Sequence, residues 1–438
     1  LSNIMVALGS AIAIMGMYDA MFRMFFEKDN FEYKKEVCAN TLNFTLVSGI
    51  TMCLILFIFR SYFSVLIFND VKYVNLLIFT SLSILITTLS SIVVAPTRMQ
   101  NKRKVFLFTN TISPILGYGV SIPMLMHKNY LYALPMAALV TSSIMLIFFY
   151  ILNRSWFNFK KVNIPLIKEM LRIGAPLMPG FIIYWLFTAC DRLMISKQIG
   201  NSFVGIYGIG VRVASVSQFI YIAFSGGWQY FAFSTMKDED QVEMTSKIFE
   251  YLALVAFSAF VIIVPFTHFI FKLFFKGEYV NGYVVFPYLF LAPLLLMLYQ
   301  TIINQFLVVK KTWPSTLILS AGAVINIILN YILINIIGIE GSAIATLIGY
   351  AVSVIIACMV LSKMKLVIIS NRMKIMCVVL VLFIVLWRFV SPINIFPAIL
   401  MSVPTLIIFC YLYRYDIKMA YKKGKAMFKQ IKVKSFDK

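Results

Sequence analysis

Charge is scarce in this chain of 438 residues, and acid is scarcest: 13% of residues are charged, and only 17 are Asp or Glu. With 61% hydrophobic residues and a mean hydropathy of +0.90, an ordinary soluble globular domain is excluded. Only two histidines are present, His127 and His268, and nothing around them resembles a ligand set, so no metal site is expected. The six cysteines, Cys38, Cys53, Cys190, Cys358, Cys377 and Cys410, show no CxxC spacing, which argues against a disulfide or zinc framework. Phosphate-loop, HExxH and GxSxG signatures are missing. Gly208-Ile209-Gly210 has no third glycine and sits inside an apolar run, so it is no dinucleotide loop. No enzymatic activity and no cofactor are expected, and ATP-driven work would need a separate subunit.

What is present is a succession of apolar windows of about 20 residues, the length that crosses a bilayer as a helix. About thirteen occur, near 1–17, 37–59, 73–96, 105–126, 131–152, 173–195, 203–228, 248–271, 283–308, 314–337, 341–361, 375–389 and 396–413. The fold class is therefore an all-α polytopic membrane protein. A net charge of +22 would suggest nucleic acid in a soluble protein, but its distribution excludes that reading. Thirty of the 39 Lys and Arg fall in loops on one side and seven on the other, leaving Arg192 and Arg212. By the positive-inside rule the first set is cytoplasmic, which places the C-terminus inside and residue 1 outside.

The two halves of the chain correspond. Tyr73-Val74-Asn75 and Tyr279-Val280-Asn281 are offset by 206, and basic loops follow at Lys102-Arg103-Lys104 and Lys310-Lys311. The short outer loops at His127–Tyr130 and Gly338–Gly341 continue the series. Two parallel six-helix repeats are predicted, related by an axis along the membrane normal. The organisation is then an N-terminal bundle over 1–152, a basic cytoplasmic linker over 153–172, a second bundle over 173–361, two added helices over 362–413 and a basic tail over 414–438. The linker holds an amphipathic stretch, Ile164 to Arg172, expected on the membrane surface, and the tail has the charge to attract anionic membrane lipids. The register puts the repeat partner of 173–195 before residue 1. The chain begins with Leu1, so a first helix of the ancestral pattern is expected to lie outside this sequence.

Intramembrane charge points to function, because a central Arg costs about 3 kcal/mol on insertion-based scales. Arg212 lies nine residues into the run from Phe203, roughly 13 Å deep in a slab of about 30 Å. Asp191 lies about 10 Å away in depth, beyond a comfortable salt bridge, so Arg212 is expected to be free for a ligand anion. Asp191 and Arg192 are adjacent and point about 100° apart, so one faces a lumen and the other a neighbouring helix, or both serve topology and packing. Asp191 is the only acid well within a span and is the candidate for ion coupling. Pro176 and Pro179 should bend or unwind the start of that helix. Gln300, Asn304 and Gln305, with Asn326 and Asn330 sharing one face four residues apart, either join helices by hydrogen bonds or line a lumen. Gly341, Ala345 and Gly349 form a small-residue packing stripe. Asp19 and Arg23 form an interfacial pair or part of a cytoplasmic entrance.

Three segments carry a family resemblance: "GMYDAMFRMFFEKDN" at 16–30, "IGAPLMPGFIIYWLFTACDRLMISKQIGNSFVGIYGIGVRVAS" at 173–215 and "NIILNYILINIIGIEGSAIATLIGY" at 326–350. Together they make the chain similar to the Wzx-type O-antigen and polysaccharide flippases of the multidrug/oligosaccharidyl-lipid/polysaccharide exporter superfamily, without the first transmembrane helix. The resemblance implies two six-helix bundles around a cationic lumen and two further helices. It implies translocation of undecaprenyl-pyrophosphate-linked oligosaccharide, an O-antigen or related lipopolysaccharide unit, across the bacterial inner membrane. Arg212, Arg192, Asn326, Asn330, Gln300, Gln305 and Arg23 are then lumen or substrate residues. Asp191 serves the coupling ion, H+ or Na+, and a polysaccharide polymerase is a possible partner. The alternatives are an ion-coupled multidrug exporter of the same superfamily and a membrane glycan polymerase or ligase. Cationic drugs favour acidic sites, whereas the deep charges here are two Arg and one Asp. A polymerase or ligase would want a sizeable outer loop, and no outer loop exceeds about a dozen residues.

Overall fold

The computed structural model describes residues 2–68, 71–157, 162–390, 395–419 and 422, and among them no strand occurs. The chain runs through α1 (Ser2–Ile14), α2 (Met17–Phe25), α3 (Phe31–Ile58), α4 (Arg60–Phe68), α5 (Val74–Met99), α6 (Arg103–Met126), α7 (Ala133–Asn153) and α8 (Ile164–Gly174). It continues through α9 (Met178–Gln198), α10 (Asn201–Ala214), α11 (Gln218–Ser234), α12 (Gln241–Ile263), α13 (Thr267–Phe274) and α14 (Phe286–Val308). It closes with α15 (Trp313–Ile337), α16 (Ile339–Lys363), α17 (Asn371–Val390) and α18 (Ile395–Leu412). Over the described residues each of the thirteen expected windows falls mainly on α-helix. Among the described residues ten helical stretches are long and apolar enough to cross a bilayer, and a bent pair, Met5–Ile14 with Met17–Phe25, makes an eleventh if it is one span. The windows at 173–195 and 375–389 fall on α9 and α17, which carry three charged residues each.

Local chemistry sets the boundaries. Asn30 caps α3 by accepting from the amides of Glu32 and Tyr33 at 2.9 and 3.2 Å. Asn163 caps α8 through the amide of Leu166 at 3.0 Å, and Pro165 follows inside the first turn, where its missing N–H costs nothing. Pro176 lies in a 3-10 turn, Ala175–Leu177, which unwinds the approach to α9 as the prolines predict. A second such turn, Ser215–Ser217, separates α10 from α11 just beyond Arg212.

The run at 1–17, expected as one span, is broken. α1 and α2 meet at 48°, with Met15 at φ 50° and Gly16 at φ 68°. The physical cause is a close backbone approach: a Cβ on Gly16 would stand 2.1 Å from the carbonyl oxygen of Gly174.

Two compact units divide the chain. The first comprises Leu1–Leu186, Ala223–Asp238 and Ile303–Ser320, and the second Phe187–Ile222, Glu239–Ile302 and Ala321–Lys438. The first has a core of Met17, Met21, Phe22 and Phe25 from α2, with Ile92, Met170 and Phe233. In the second, Phe187 stacks on Tyr350 with centroids 4.3 Å apart. The small-residue stripe does pack there: a Cβ on Gly349 would lie 2.9 Å from both Asn326 Cβ and Gly322 O.

Candidate functional site

In the second unit α9 carries Asp191 inward, where it is 4% exposed. A buried carboxylate needs partners, and three neutral donors supply them. Tyr207 Oη from α10 donates to Oδ2 at 2.6 Å, Thr346 Oγ1 from α16 to the same oxygen at 2.7 Å, and Asn330 Nδ2 from α15 to Oδ1 at 3.0 Å. A second layer holds the donors. Ser342 donates to Asn330 Oδ1 at 2.6 Å, and Asn326 Nδ2 donates to Thr346 Oγ1 at 3.0 Å. Asn326 Oδ1 is buried without a partner among the described residues. No Lys or Arg among the described residues lies within ion-pair distance of Asp191. The structure thus brings together three residues singled out in sequence, Asp191, Asn326 and Asn330, and adds Tyr207, Ser342 and Thr346.

The other sequence candidates of this unit stand apart from that cage. Arg212, in the last turn of α10, is exposed, and no acidic partner meets its guanidinium among the described residues. Its carbonyl accepts from Ser215 Oγ at 2.6 Å, tying it to the turn that follows. Arg192 is exposed, and Gln300 on α14 is half-buried. Elsewhere in this unit, Glu340 pairs with Arg388 of α17 at 2.8 Å and accepts from Tyr288 at 2.8 Å.

The remaining candidates belong to the first unit. Gln305 is buried, and its Oε1 has no partner among the described residues. Arg23 donates to Val308 O at 3.1 Å and pairs with Glu27 at 3.4 Å. Asp19 accepts from Gln229 Nε2 at 3.0 Å instead of pairing with Arg23, so the two are not an ion pair. Residues 19 and 23 share a face, but α11 places the Gln229 amide in front of Asp19, and Glu27 one turn beyond pairs with Arg23. Beside them Arg98 Nη1 donates to Tyr18 Oη at 3.0 Å.

Lys310, in the loop after α14, bridges Glu27 and Glu169 at 2.8 Å each. Burial works to lower the Lys310 ammonium, but the hydrogen bonds to Glu169 and Glu27 outweigh it and hold its pKa above the ordinary lysine value.

The all-helical polytopic fold of the described residues is shared with solved structures. The Vibrio cholerae MATE transporter VcmN in its bent form has a TM-score of 0.65 at 13% identity, covering 83% of this chain and 86% of that one. The lipid II flippase MurJ in an inward closed conformation has a TM-score of 0.59 at 17% identity, covering 94% of this chain and 90% of that one. An outward-facing multidrug resistance MATE family transporter of the MOP superfamily has a TM-score of 0.64 at 15% identity, covering 83% and 85%. No curated protein matches the chain in sequence. The family model described as polysaccharide biosynthesis protein matches residues 1–281, and the chain belongs to that family.

Proposed function

We propose that this chain is a flippase that carries undecaprenyl-pyrophosphate-linked oligosaccharide, an O-antigen or related surface unit, across the bacterial inner membrane with its C-terminus in the cytoplasm. The observation that carries the reading is Arg212: an exposed guanidinium on an apolar helix, without an acidic partner among the described residues, in a polysaccharide biosynthesis family. A pyrophosphate headgroup crossing lipid needs fixed positive charge, and the planar guanidinium engages two phosphate oxygens at once. Arg192 and Gln300, in the same unit as Arg212, then line or border the path.

Asp191 is the seat of ion coupling. Its cage is made only of oxygen and amide groups, and the unpaired Asn326 Oδ1 beside it suits an oxygen-seeking cation. Sodium would be held by Asp191, Asn326 and the hydroxyl oxygens, and a proton by Asp191 alone. Either would neutralise the buried carboxylate and bias the helices joined there. A polysaccharide polymerase acting on the exported unit is a fitting partner.

The MATE-like fold favours one rival, an ion-coupled multidrug exporter. Complementation separates them. In a flippase-null strain the wild-type chain should restore surface glycan and Arg212→Ala should abolish it. Glycan fully retained by Arg212→Ala would sink the assignment, and resistance to cationic drugs without glycan would favour the rival.

A further inference from the structure

Four arginines are half-buried among the described residues: Arg23, Arg98, Arg372 and Arg388. Three carry a carboxylate. Arg23 has Glu27 at 3.4 Å, Arg372 has Asp416 at 2.7 Å and Arg388 has Glu340 at 2.8 Å. Arg98 has none among the described residues, and its buried Nε has no hydrogen-bond partner there either. The segment from Val71 to Lys168 contains no Asp or Glu at all, so α5, α6 and α7 cannot supply a counter-ion. Asp19, next to Tyr18 in the chain, accepts from Gln229 Nε2 at 3.0 Å.

The guanidinium is nevertheless held in place. Nη1 donates to Tyr18 Oη at 3.0 Å, and the Phe106 ring centroid lies 4.6 Å from Cζ. A half-buried cation kept in one orientation with no acid to neutralise it is a site that an anion completes.

We propose that Arg98 receives the pyrophosphate of a lipid-linked glycosyl substrate at the cytoplasmic end of the first unit. This rests on the flippase reading above and adds to it a loading position distinct from Arg212. Arg98 is in the last turn of the 26-residue α5, about 36 Å of helical rise from its start, which sets it at headgroup level on the positively charged face. Exposed Lys102, Arg103 and Lys104 follow in the next few residues and draw anions toward it. Bulk anionic lipid is served by those exposed residues. Arg98 sits instead against Tyr18 and Phe106, and Tyr18 Oη donates onward to Gln229 Oε1 at 3.4 Å. A guanidinium held in one orientation suits a pyrophosphate, whose oxygens it can engage in pairs.

The test uses the full chain in nanodiscs of neutral phosphatidylcholine, titrated in one arm with polyprenyl pyrophosphate and in the other with phosphatidylglycerol. Arg98→Gln should weaken polyprenyl pyrophosphate about ten-fold or more, and Arg98→Lys less, because one point charge replaces two aligned donors. Phosphatidylglycerol should bind both variants as it binds wild type. Tyr18→Phe removes the acceptor that orients the guanidinium but keeps the ring, and should cost a few-fold. It keeps the proposal testable if Arg98→Gln does not fold. Unchanged pyrophosphate affinity in a folded Arg98→Gln or in Tyr18→Phe overturns the site, and an equal loss for phosphatidylglycerol reassigns it to membrane lipid. Arg98-dependent pyrophosphate binding by a wild-type chain that fails to complement a flippase-null strain would retire the flippase reading and keep the site.

Discussion

Asp191→Ala is the sharpest perturbation of the second unit. It deletes the acceptor of three hydrogen bonds and leaves Tyr207, Thr346 and Asn330, from three different helices, facing a buried space. Side-chain hydrogen bonds between membrane helices are worth about 0.6 kcal/mol on average and up to about 1.7 kcal/mol, so three amount to roughly 2 to 5 kcal/mol. Relief of the buried charge acts in the opposite direction and places the expected loss near the lower figure. Asp191→Asn keeps the volume and one carbonyl acceptor, and should cost about 1 kcal/mol. The assay is reversible unfolding in mixed micelles with increasing denaturing detergent, run on both variants and on an Asp191/Tyr207 double-mutant cycle. The cycle should return a coupling above about 0.5 kcal/mol. An alanine variant as stable as wild type, with no coupling to Tyr207, would show that the cage does not hold these helices together.

Three further outcomes follow from the same geometry. Gly16→Ala places a Cβ 2.1 Å from Gly174 O at φ 68°, and should lower stability by about 2 kcal/mol or more, read as loss of membrane-inserted folded protein on expression; full yield would contradict the close approach. Lys310→Ala breaks a triad that is about one-third exposed, so the loss should be at most about 1 kcal/mol and shrink with added salt. Because the Lys310 pKa is raised in the folded state, its contribution is complete below the ordinary lysine pKa and fades only as pH climbs through the raised value, so a melt series should show no Lys310-dependent change near neutrality. Burial works to raise the Asp416 pKa, but hydrogen bonds from Tyr251 and Arg372 outweigh it and hold it low. Its stabilisation is present above the ordinary Asp range and is lost as pH falls through the lowered value, below about pH 4, and Asp416→Asn should remove that acid limb.

The helices were legible in sequence because lipid demands length and apolarity together, and both show in every window. The kink at Gly16 was not, since the apolar window was read as one span over 1–17 and the cause is the distant Gly174. At the cage, Asn326 and Asn330 announced themselves by a four-residue spacing and Asp191 by being an acid within a span. Tyr207, Ser342 and Thr346 did not, because a hydroxyl in an apolar helix commonly bonds its own backbone, as Ser353 does to Gly349 O. Arg98 was hidden for another reason. In sequence it counts only among the loop charges from which topology is expected, and only the fold shows that it turns inward to Tyr18. Glu169 and Glu27 likewise gave no sign of meeting at Lys310, since 141 and 283 residues separate them from it.

The central claim, a positively lined path for a pyrophosphate-linked glycan, is tested most directly by translocation in proteoliposomes. The purified chain would be reconstituted with a fluorescent polyprenyl-pyrophosphate-linked oligosaccharide, and its appearance in the opposite leaflet followed by quenching under an imposed proton or sodium gradient. Gradient-dependent translocation that Arg212→Ala abolishes is the predicted result. Translocation no faster than in protein-free vesicles, together with gradient-driven movement of a cationic drug, would contradict it.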